Sequence, residues 1–172
     1  YLTVYNEPIA QPAQPENVDV DGILRGMHLV SPAPSAAGMR AQILAAGIAL
    51  PWAMKAQEIL ARDWGVNADV WSVTSWVELQ RDALAAEKHN LLHPTAPAQV
   101  PYVTQRLQNA PGPVVAVSDY MRAVQELIRP WVPGEFHSLG ADGWGMSDTR
   151  GALRRHFLID AESIVVQTLA AL

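Results

Sequence analysis

A chain of 172 residues with 49% hydrophobic and 17% charged residues holds enough apolar surface for one folded core, and too much for wholesale disorder. A net charge of −5 argues against a nucleic-acid surface, which needs a concentrated basic patch. Without cysteine there is no disulfide, thiolate nucleophile or cysteine-bound zinc, and no run of about 18 apolar residues or basic–apolar–small leader pattern marks a membrane span or a signal.

Tyr1-Leu2-Thr3-Val4-Tyr5 alternates like a strand, with nothing before it and no initiator methionine, which points to a segment of a longer polypeptide. Residues 6–20 hold three prolines and four Asn or Gln residues and read as a linker. Gly26–Val30 and Ala41–Ala46 read as short strands around the turn Ser31-Pro-Ala-Pro-Ser35, and are expected to pair antiparallel. Pro51 suits a first helical turn, and residues 51–64 carry Trp52, Ala53, Ala56, Ile59 and Leu60 on one face against Lys55, Glu58 and Arg62 on the other. Gly65 is a natural end for that helix.

Val70–Thr74 is strand-like, and Ser75 with Glu78 signs a capping box for a helix to about Lys88. One or two helical turns are expected over Tyr102–Asn109, followed by the β-branched buried strand Val114–Val117. Asp119 is expected to cap a helix bearing Met121, Val124, Ile128 and Trp131 on one side, ended by Pro130 and Pro133. Phe136–Leu139 reads as a strand, and short helices close the chain near 149–157 and 161–171. Strands alternating with amphipathic helices predict an α/β three-layer sandwich, with a mostly parallel sheet of about five strands and one antiparallel edge strand.

The most informative stretch is Gly140-Ala-Asp-Gly-Trp-Gly-Met-Ser-Asp-Thr-Arg150. Gly143 and Gly145 permit unusual backbone angles and close approach, so Trp144 is a large apolar group on a turn. Asp142, Ser147, Asp148 and Arg150 surround it, and Arg150 and Arg154 share a helical face suited to carboxylates. These residues, with both glycines and Trp144, are the candidate interface. Other candidates are thinner. His89 and His93 are four apart beside Glu87, but lack the His-Glu-x-x-His order. Ser118-Asp119 has no Gly-x-Ser-x-Gly elbow. Gly47 stands alone, with no phosphate-binding glycine pattern. Of the six tryptophans most are expected in the core, with Trp144 the exception.

The order strand, Asp142-Gly-Trp-Gly-Met-Ser-Asp-Thr-Arg150, helix, His156-Phe157 resembles the C-terminal domain of transketolase-like, thiamine-diphosphate-dependent enzymes. Tyr1-Leu-Thr-Val-Tyr-Asn-Glu-Pro8, Asp69-Val-Trp-Ser-Val-Thr-Ser-Trp76, Asn90-Leu-Leu-His-Pro94, Val100-Pro-Tyr102 and Ser118-Asp-Tyr-Met121 extend the resemblance over nearly the whole chain. They are similar to the homodimeric bacterial family of pyruvate dehydrogenase decarboxylase components, from which Pro8-Ile-Ala-Gln-Pro12 departs.

The resemblance implies that residues 1–20 end a preceding central domain and linker and that 21–172 form the C-terminal domain. It further implies a parent enzyme that decarboxylates pyruvate on thiamine diphosphate with magnesium and acetylates the lipoyl group of an acyltransferase component, in the cytoplasm. The diphosphate–magnesium motif, Gly-Asp-Gly followed by Asn-Asn, lies upstream in that family, so no catalytic, cofactor or metal residue is carried over. The expected partners are the central domain, a second subunit and the acyltransferase, with neither nucleic acid nor membrane. Two other classes stand beside this reading: an independent flavodoxin-like ligand-binding module with a site at the carboxyl ends of its strands, and a small enzyme using Asp142, Asp148 and His156.

Overall fold

The computed structural model describes residues 8–10, 13 and 17–172, so the expected strand at 1–5 and most of the linker lie outside the described residues. The first helix, α1 (Val20–Leu24), stands where no element was expected. It starts because the Asp19 carboxylate accepts the Gly22 N–H at 2.8 Å. Then follow β1 (Met27–Ser31), β2 (Met39–Ala45), α2 (Ala49–Trp64), β3 (Val66–Val73), α3 (Trp76–Leu92), α4 (Tyr102–Leu107) and β4 (Val114–Val117). The chain continues through α5 (Arg122–Glu126), a 3-10 turn at Arg129–Trp131, β5 (Phe136–Leu139), α6 (Arg150–His156) and α7 (Ala161–Ala170).

The sheet order is β1-β3-β2-β4-β5, with β2 parallel to both β3 and β4, and β4 parallel to β5. The expected α/β sandwich with five strands and one antiparallel edge is therefore present. The partner of that edge is corrected: β1 runs antiparallel to β3, not to β2. The reason lies in β2, whose residues Ala41–Ala45 are all buried. A strand buried on both faces belongs in the middle of a sheet with parallel neighbours. The Pro-rich link before it crosses to the central position instead of closing a tight hairpin.

The three layers follow from alternation along the strands. On one side Ala41, Ile43, Val66, Val70 and Val115 pack with Ala53, Ala56 and Leu60 of α2 and Ile164 of α7. On the other, Leu44, Trp71, Val114 and Phe136 pack with Leu79 of α3, Val103 of α4 and Ile128. Gly65 ends α2 at φ 65°, a left-handed angle that glycine adopts without steric cost. The Ser75 hydroxyl accepts the Glu78 N–H at 3.1 Å and opens α3, while the Ser75 N–H donates to the Gly26 carbonyl at 3.1 Å and not to Glu78, so the expected box forms only its serine half.

Asp119 does not cap α5. The Ser118 hydroxyl takes the Tyr120 N–H at 3.2 Å, Met121 stays extended and the helix begins at Arg122. Met121 is exposed rather than on the buried face. The expected single helix also breaks into α5 and a separate 3-10 turn around Pro130, which has no N–H to continue the ladder. Of the tryptophans only Trp71 and Trp76 are buried; Trp52 and Trp131 are half-buried, and Trp64 and Trp144 are exposed.

Candidate functional site

The segment from Gly140 to Thr149 leaves the carboxyl end of β5 and crosses to α6. Its root is fixed and its tip is bare. Gly140 is buried against the β4–α5 connection, and the Ala141 N–H donates to the Tyr120 carbonyl at 2.9 Å. The Asp142 carboxylate then clamps Arg122, accepting its backbone N–H at 2.8 Å and its Nε–H at 2.6 Å. Those bonds to the Arg122 side chain and backbone hold the Asp142 carboxyl below the usual carboxylate range. From residue 142 to 150 every residue is exposed. Trp144 is 93% exposed, and Met146 beside it is also exposed.

The two glycines differ. Gly143 sits at φ 98°, where a side chain is strained, and so makes the turn. Gly145 lies outside that left-handed region, with open space where a Cβ would stand.

Asp148 accepts the N–H of Thr149 at 2.6 Å, and Thr149 caps α6 through its hydroxyl. The Arg154 guanidinium lies over the Trp52 ring, 5.2 Å from its centroid. Arg155 pairs with Asp160, the cap of α7, so α6 and α7 are locked at their joint. A recess of about 750 Å³ lies at the loop root, lined in part by Met121, Arg122, Trp131 and Asp142. The loop thus combines an exposed aromatic–methionine tip, a charged clamp and an adjoining concavity. That arrangement suits insertion into another surface.

The remaining sequence candidates do not assemble into chemistry. His89 and His93 stack with ring centroids 4.5 Å apart, and His93 Nδ1 lies 2.9 Å from the His89 carbonyl oxygen. Among the described residues no three His, Asp or Glu side chains lie together as metal ligands. Ser118 is fully buried and occupied by its turn bond. Asp142, Asp148 and His156 each have their own neighbour, His156 lying edge-on to Phe157. Sequence reasoning missed Arg122 as the loop's anchor. It lies 20 residues from Asp142, and nothing in the sequence marks a pair at that separation. Among the described residues no helix is long and apolar enough to cross a membrane.

Comparison with known proteins agrees with this fold. Over 172 residues the chain is 59% identical to the pyruvate dehydrogenase E1 component of Mycolicibacterium smegmatis, covering 100% of this chain and 18% of that protein. With the pyruvate dehydrogenase E1 component of Escherichia coli strain K12 it shares 42% identity over 173 residues, covering 100% of this chain and 19% of that protein. The chain therefore spans about a fifth of the length of these relatives. The transketolase from Leishmania mexicana superposes with a TM-score of 0.58 at 21% identity, over 91% of this chain and 19% of that one, a likeness of fold alone. Residues 26–160 match the model of the transketolase-like TK C-terminal domain, and the chain belongs to that family.

Proposed function

We propose that this chain is the C-terminal domain of a pyruvate dehydrogenase E1-type enzyme and serves it as an architectural, interface-forming part. The enzyme would use thiamine diphosphate and magnesium to decarboxylate pyruvate and acetylate the lipoyl group of its acyltransferase partner, in the cytoplasm. Residues 1–20 would end the central domain and linker, and 21–172 would form this domain. Identity across the full chain to two pyruvate dehydrogenase E1 components supports the assignment.

The cofactor supplies the decarboxylation chemistry in such an enzyme. In this reading the groups that hold the cofactor's diphosphate and metal lie upstream of this chain. No step is assigned to this chain's residues.

The observation that carries the architectural role is the tip of the 142–150 loop. Trp144, 93% exposed beyond a root clamped by Asp142 and Arg122, is an apolar anchor offered to another surface. Its target in this reading is the central domain or the second subunit, with Gly143 and Gly145 allowing close approach and Ser147, Asp148, Arg150 and Arg154 forming the polar rim. In the full-length enzyme Trp144→Ala is expected to weaken assembly or acyltransferase binding by roughly 2–4 kcal/mol, read by sedimentation. Decarboxylation measured with an artificial electron acceptor should suffer less than overall complex activity. Intact assembly together with abolished decarboxylation would move the loop into the active site.

A further inference from the structure

Among the described residues β5 is the last strand of the sheet, and only its β4 side is paired. In a parallel ladder the N–H and C=O of one residue point to the same side, alternating along the strand. The Val114 N–H donates to the Glu135 carbonyl at 2.8 Å and the Ser118 N–H to the Leu139 carbonyl at 3.2 Å. The odd-numbered residues therefore face β4, and the main-chain groups of Phe136 and Ser138 face outward.

These groups do not lie on a flat rim. A trough of about 410 Å³ runs along the edge, walled by Arg122, Glu126 and Arg129 on the α5 side and by Gln167 of α7 on the other. Gln167 also borders an apolar groove of about 350 Å³ that includes Leu139, Leu158 and Val166. Leu158 and Val166 are both exposed there. Leu158 is the one non-glycine residue with positive φ among the described residues, at 57°.

We propose that this trough takes up an extended segment of another polypeptide as a sixth strand beside β5. The floor offers main-chain donors and acceptors at strand spacing, which is what an extended backbone recognises. Two arginines and two glutamates, Glu126 and Glu135, balance one another along the trough, so its charge complement is a segment without net charge. Alternate side chains of that segment would meet the Leu158–Val166 groove, so the segment is one that alternates β-branched apolar with neutral polar residues. A second copy of this chain would have to bring its own β5 past the Arg122, Glu126, Arg129 and Gln167 side chains that wall the trough.

The test is amide hydrogen exchange by NMR on the 172-residue chain, with the capped peptide Thr-Val-Thr-Val-Thr-Val as probe. The Phe136 and Ser138 amides should exchange about tenfold more slowly with the peptide, while that of His137, already bonded to β4, should not change. A peptide with proline at its central positions, lacking those N–H groups, should have no effect. Ser138→Pro, which removes an outward N–H and leaves the β4 ladder intact, should abolish the protection, and Ser138→Ala should retain it. If Ser138→Pro does not fold, the comparison of the two peptides decides. Equal protection by both peptides, no protection by either, or a concentration-dependent dimer that protects the same amides without peptide would each overturn the proposal.

Discussion

Alanine at Gly140 tests whether the candidate loop is held at its root by close packing. A Cβ there would stand 2.5 Å from the Tyr120 carbonyl oxygen and 2.9 Å from the Arg122 nitrogen. Ordinary contact begins near 3.4 Å, so the loop must move off the β4–α5 connection by roughly 0.9 Å. That shift stretches the Ala141–Tyr120 bond, now 2.9 Å, beyond useful length. The lost neutral bond is worth about 1 kcal/mol, and overpacking against fixed backbone adds about 1–3 kcal/mol. The solvent-screened Arg122–Asp142 pair is given no separate weight. Gly140→Ala should therefore cost about 2–4 kcal/mol in urea unfolding followed by circular dichroism. Gly143→Ala, at φ 98° but with open space around it, should cost only about 1–2 kcal/mol. Gly145→Ala should fall within about 0.5 kcal/mol of the parent chain. If Gly140→Ala proves no costlier than Gly145→Ala, the root is not packed as described.

Asp69 accepts from Arg40 at 2.7 Å, Gln42 at 3.0 Å and the Ala33 N–H at 2.8 Å, so Asp69→Ala should cost about 3–5 kcal/mol in the same assay by stranding three donors. Burial pushes the Asp160 carboxyl up, but bonds from Ser163 and Arg155 outweigh it and hold its pKa below the usual value. A lowered folded pKa adds stability above the unfolded pKa and loses it as pH falls through the folded one. The advantage of the parent chain over Asp160→Asn should therefore be constant from about pH 7 to 5 and shrink below about pH 4. Titration calorimetry of the isolated chain should show no saturable binding of thiamine diphosphate with magnesium, and micromolar binding would contradict the proposed division of labour.

Elements with local chemistry were legible in the sequence. The Ser75 helix cap, the Gly65 terminator and the β-branched run Val114–Val117 each carry their signal within a few residues, and each stands where it was expected. Long-range choices were not legible. The partner of β1 depends on β2 taking the centre of the sheet, which both candidate strand orders allow on local pattern alone. Asp119 does not cap α5 because the Arg122 N–H, three residues on, is taken by the Asp142 carboxylate, a long-range partner. At the candidate site the exposed tip was readable, because a tryptophan between two glycines has no helical face to bury it. Its anchor was not, because Arg122 meets Asp142 only once β4 and β5 are side by side.

Hydrogen–deuterium exchange of the loop in two settings tests the central claim most directly. In the isolated chain residues 142–150 are exposed throughout, and the amides around Trp144 should exchange within the fastest class. In the full-length enzyme the account predicts marked protection of the same residues, strongest around Trp144 and lost in Trp144→Ala. Equally fast exchange in both settings would show that the loop docks on nothing in the assembled enzyme, and would contradict the account.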